Sequence, residues 1–235
     1  PFCGPVGRPL AERRDAADFV LVGADAFDIR RLRDWLADDG VDRRRRGFYA
    51  LALGLATATA SRAEDRVVGR AALEKALAEP GDDRRAGFDG ILAGALAAEG
   101  ATGLDRLGSR GLFAPDTRPG DARHALAALR FAWECLADSI PRDRIAEATA
   151  ALLFNPAVAA DAAIDLARYG HWAEADRVAA LWEMLGCDDP LVRRAVAGFL
   201  GSCPLPTARD HRERLAASDP AAWEAACAAA ADPAR

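Results

Sequence analysis

Asp189-Pro190-Leu191-Val192-Arg193-Arg194-Ala195-Val196-Ala197-Gly198-Phe199-Leu200-Gly201 reads as one helix with its own start and stop signals. Asp189 can cap orphan amides, and Pro190 suits the first helical position because its φ is already set. Leu191, Val192, Ala195, Val196, Phe199 and Leu200 recur at helical spacing, so one face is apolar. Gly201 suits a left-handed residue closing the helix. A helix this short with a single apolar face needs partners, which points to a stack of helices.

The same pattern recurs elsewhere in the chain. Counted from Asp42, Arg46, Ala50, Leu53 and Gly54 fall at the offsets of Arg193, Ala197, Leu200 and Gly201 counted from Asp189. A degenerate copy starts at Asp82, with Gly87-Phe88 and Gly94 each forty residues beyond Gly47-Phe48 and Gly54. Asn155-Pro156, Asp189-Pro190 and Asp219-Pro220 are further predicted helix starts, thirty-four and then thirty residues apart. Steps of this size are those of two-helix solenoid repeats.

Predicted helices fall near residues 11–21, 25–38, 43–59, 62–78, 83–98, 121–138, 142–153, 157–169, 172–185, 190–201, 207–217 and 220–230. They make an all-α chain of about six hairpins, with no alternating β-branched run to compete. The expectation is one α-solenoid domain over residues 1–235, with an irregular break at 100–120. There Gly103, Gly108, Gly111, Pro115, Pro119 and Gly120 interrupt any long helix. Phe48, Phe88, Phe199 and Leu200 are the expected core.

Composition bounds the function. The chain has 235 residues, is 51% hydrophobic and carries a formal net charge of −5. A core of good size follows, and a dedicated nucleic-acid binder is disfavoured, because phosphate binding needs a clustered positive field. Lys75 is the only Lys, a bias that a GC-rich genome explains. The five Cys are widely spaced, without a Cys-x-x-Cys pair, and Cys187, Cys203 and His211 lack a convincing fourth metal ligand. Pro1 in place of an initiating Met is what a processed form or a fragment would show; the compartment, cytoplasmic or exported, stays open. Arg43 to Arg46 followed by an apolar run imitates an export signal, but the run is too short to span a bilayer and reads as a charged face leading into a buried helix.

Residues Arg168-Tyr169-Gly170-His171-Trp172 through Asp219-Pro220-Ala221-Ala222-Trp223 resemble the end of bacterial HEAT-like repeat proteins, with repeats similar to those of the bilin-lyase repeat class. The resemblance is strongest over residues 168–223. It implies an α-solenoid that binds something, since that wider class includes scaffolds, chromophore lyases and DNA glycosylases. No catalytic residue carries over.

No metal, nucleotide or hydrolase motif is present, so no catalytic residue, metal ligand or cofactor is expected. Asp38-Asp39, Asp82-Asp83 and Asp188-Asp189 lie at helix boundaries and read as caps. Trp133-Glu134, Trp182-Glu183 and Trp223-Glu224 recur at intervals of forty-nine and forty-one residues. If these Trp line one face they form a ridge for a protein or peptide, with the Glu residues selecting a basic partner. Arg43, Arg44 and Arg45 are a second candidate surface, for an acidic partner or phosphate. The function expected is a non-catalytic protein-binding or scaffolding module. The alternatives are a bilin lyase or isomerase and, against the acidic balance, a DNA-binding or base-excision protein.

Overall fold

The computed structural model describes residues 26–81, 85–184 and 189–231. Among them the chain is all-helical, with twelve α-helices and no strand. The predicted helix at 11–21 and the pairs Asp82-Asp83 and Asp188 lie outside the described residues. In order the helices are α1 (Ala26–Ala37), α2 (Arg43–Thr59), α3 (Ala63–Ala78), α4 (Phe88–Glu99), α5 (Ala101–Ser109) and α6 (Pro119–Cys135). There follow α7 (Arg142–Ala151), α8 (Ala159–Tyr169), α9 (Ala175–Met184), α10 (Pro190–Ser202), α11 (Pro206–Ser218) and α12 (Pro220–Ala231). A 3-10 turn, Trp172–Glu174, leads into α9. No described helix is long and apolar enough to cross a membrane.

Local chemistry sets most of these limits. The Asp189 carboxylate accepts from Leu191 N at 2.8 Å and Pro190 opens α10. Asp219 accepts from Ala222 N at 3.1 Å ahead of Pro220. Gly170, at φ 67°, closes α8 in the left-handed region that glycine tolerates. Two expectations need correction. Gly201 does not end α10: the helix runs on to Ser202, and Pro204 follows its Cys203 cap. Asn155 caps no helix. Its side chain accepts from Ala157 N at 3.1 Å and donates to Thr117 O at 2.7 Å, so it fastens a turn, and α8 begins only at Ala159. Residues 101–109 are a short helix and 110–117 are turns and bends; Gly103 lies against Ala95, where its missing Cβ permits close packing.

The chain divides into two compact units, Pro1–Leu112 with Gly120–Ile145, and Phe113–Pro119 with Ala146–Arg235. In the first, α1 packs on α2 and α3, α2 on α4, and α3 on α4. Ile29, Leu32 and Leu36 of α1 meet Ala50, Leu53 and Ala56 of α2 and Leu73 and Ala76 of α3 in one apolar cluster. Phe88 is buried, whereas Phe48 only half-buries against this cluster. In the second unit α10 is the hub, packing on α8, α9, α11 and α12. Its Val192, Ala195, Val196, Phe199 and Leu200 are all buried.

In the first unit α1 and α2 each touch the next helix and the one after it; in the second α9 and α10 do so, and α8 touches α10. The closest such contact is α2 on α4. A Cβ built on Gly54 would lie 2.1 Å from Gly94 O, and one on Gly47 would lie 2.3 Å from Gly87 O. The forty-residue spacing read from the sequence therefore pairs the very glycines that touch.

Candidate functional site

Of the Trp residues singled out, two come together. Trp182 of α9 and Trp223 of α12 have ring centroids 5.5 Å apart at 54°. Trp182 is buried, with the Arg193 guanidinium of α10 5.2 Å from its ring centre, so it is a support and not a contact surface. Trp223 is half-buried and presents the outer part of the pair. Met184, ending α9, and Leu191, in the first turn of α10, are among the exposed large apolar residues. Glu183 is engaged by Arg214 of α11, which weakens its expected part in choosing a basic partner. Glu224 is exposed. In the other unit Trp133 is half-buried with Arg142 5.2 Å from its ring centre, and Glu134 is exposed.

The arginine run opens α2. Arg43, Arg44 and Arg45 are exposed, while Arg46 turns inward and donates to both Glu79 oxygens at 2.8 Å and to Leu36 O at 2.8 Å. Arg46 thereby ties α2 to the end of α3 and satisfies a terminal carbonyl of α1. The backbone of Arg43 and Arg44 is pressed against Gly87, whose φ of 83° puts it in the left-handed region. Side-chain freedom in the run thus belongs to positions 44 and 45, on a fixed backbone.

A charged cluster lies where α3, α4 and α5 meet, and sequence reading missed it. Arg106 of α5 pairs with Glu74 of α3 and, at 2.8 Å, with Glu99 at the end of α4; Arg110 also pairs with Glu74. Arg70 of α3 donates to Ala98 O at 3.4 Å. Burial raises the Glu99 carboxyl above its ordinary value, against the lowering pull of Arg70 and Arg110. Burial also lowers the Arg106 guanidinium, and Arg110 and Arg70 add to that. One sequence signal was present: like charges at Arg106 and Arg110, four residues apart on a helix, repel unless acids face them.

This cluster predicts a pH dependence. The folded Glu99 holds its proton more tightly than the unfolded one, so stability falls as pH rises from the ordinary carboxylate value through the raised one. Glu99→Gln should flatten that fall, read as urea midpoints at about pH 4.5 and about pH 7.5. Equal slopes in both proteins would mean that Glu99 ionises without cost.

The histidines are each near a carboxylate. His211 Nε2 lies 2.6 Å from Asp176, His124 Nδ1 3.6 Å from Asp89, and His171 Nε2 3.9 Å from Glu174. Cys203 is buried and Cys187 lies outside the described residues. Burial pushes the Cys227 thiol up, with Arg212 pulling the other way, so this exposed cysteine is not an activated thiolate. Asp38 accepts from Gly40 N at 2.8 Å, fastening the turn after α1. Asp42 opens α2 without a side-chain cap bond. No family model, no curated protein and no solved structure matches the chain.

Proposed function

We propose that the chain is a HEAT-like α-solenoid acting as a non-catalytic protein-binding or scaffolding module, with Trp223 as its principal anchor. The observation that carries this reading is that five helices pack on the second helix along: α1 on α3 and α2 on α4 in one unit, α8 on α10, α10 on α12 and α9 on α11 in the other. Hairpins stacked this way bury their apolar faces on neighbours and leave long surfaces for partners. Trp223 supports the choice of anchor. It is an aromatic side chain held in place by Trp182 and left half-exposed, and Trp is enriched at binding hot spots.

A display selection of random peptides tests the proposal. The intact chain should enrich peptides that bind it, and Trp223→Ala, with its helix content verified by circular dichroism, should weaken those peptides by about thirtyfold. No enrichment, or peptides indifferent to Trp223, would overturn it.

A further inference from the structure

Lys75 is the only lysine among 31 basic residues, and it stands at the rim of a groove in the first unit. The groove runs between α1 and α3 and encloses about 440 Å³. Its floor is Leu36, Val68, Ala72 and Ala76. These residues are continuous with the apolar cluster beneath, since Leu36 and Ala76 are buried members of it and Val68 and Ala72 pack against it. Positions 68, 72, 75, 76 and 79 recur at helical spacing, so α3 turns one apolar face, ending in Lys75 and Glu79, towards the groove.

The charges at the rim are unequally committed. Arg33 gives two hydrogen bonds to Asp34, at 2.9 and 2.6 Å. Glu79 is closed bidentately by Arg46. Lys75 is exposed and makes no hydrogen bond or ion pair with the described residues. One compact, strongly hydrated cation therefore overlooks an apolar trough of a size that takes small ligands.

We propose that this groove binds a small amphiphile with an apolar body and a single carboxylate, the body lying on Leu36, Val68, Ala72 and Ala76 and the carboxylate meeting the Lys75 ammonium. Charge selects the occupant. A carboxylate completes the one rim cation without a partner among the described residues, whereas a cationic amphiphile places like charge beside it. This site is independent of the Trp223 surface.

Titration calorimetry of the intact chain with decanoate and with decyltrimethylammonium, each below its micelle concentration, tests it. Decanoate should bind saturably at one site and the cation should not. Lys75→Met should weaken decanoate by about tenfold or more, and Lys75→Arg by no more than about threefold. Val68→Phe, which fills the floor and leaves Lys75 in place, should abolish binding. Failure of decanoate to saturate, equal binding of the two amphiphiles, or indifference to Lys75→Met or to Val68→Phe would each overturn the proposal.

Discussion

Gly54→Ala is expected to lower the stability of the chain by about 3 kcal/mol or more, the upper end of what overpacking costs. The added Cβ would fall 2.1 Å from Gly94 O; the oxygen is backbone and the Cβ is fixed by its own backbone, so no rotamer change can separate them. Relief requires α2 and α4 to part. Parting them loosens the remaining glycine contacts of the same interface, where a Cβ on Gly90 would lie 2.3 Å from Gly47 O and one on Gly94 2.3 Å from Ala50 O. Gly201→Ala is the internal control. Gly201 is also helical, but nothing lies within 4 Å of its built Cβ, so the substitution should stabilise by about 0.5 to 1 kcal/mol through helix propensity alone. Urea midpoints of the two variants should move in opposite directions. Movement in the same direction would dissolve the α2 on α4 contact as the source of the effect.

That contact also shows what the sequence could and could not reveal. Gly47, Gly54, Gly87 and Gly94 were legible as a forty-residue echo, because a close helix crossing needs small residues at fixed intervals on both partners. Helix limits were legible at local caps such as Asp189-Pro190, Asp219-Pro220 and Gly170, although α10 runs one residue past Gly201. They were misread where a residue serves a tertiary partner. Asn155 looks like a helix start, but it is held by Thr117, thirty-eight residues away. Gly103 lies in a short helix, where its tertiary role is a packing position against α4.

The surfaces follow the same rule. Periodicity can mark Trp182 and Trp223 as related, but it cannot say that one is buried beneath the other, because that depends on α9 and α12 meeting in space. Glu74, Glu99, Arg106 and Arg110 come from three helices and acquire their meaning only when those helices close. Lys75 was visible as an oddity of composition, and the groove that gives it a use belongs to α1 as much as to α3.

Phe199→Ala should cost about 3 to 5 kcal/mol, the range for removing a buried aromatic side chain and leaving its cavity. Phe199 is 1% exposed and meets the Trp172 ring edge-on, with centroids 5.3 Å apart. Its place on α10 matters, because α10 contacts α8, α9, α11 and α12. Trp172 sits in the 3-10 turn that carries the chain into α9, so loss of its edge-on partner should also perturb the approach to the Trp182 and Trp223 pair. The measurement is the urea midpoint, read together with tryptophan emission. A midpoint equal to that of the parent chain would put Phe199 outside the core and remove α10 as the hub of its unit.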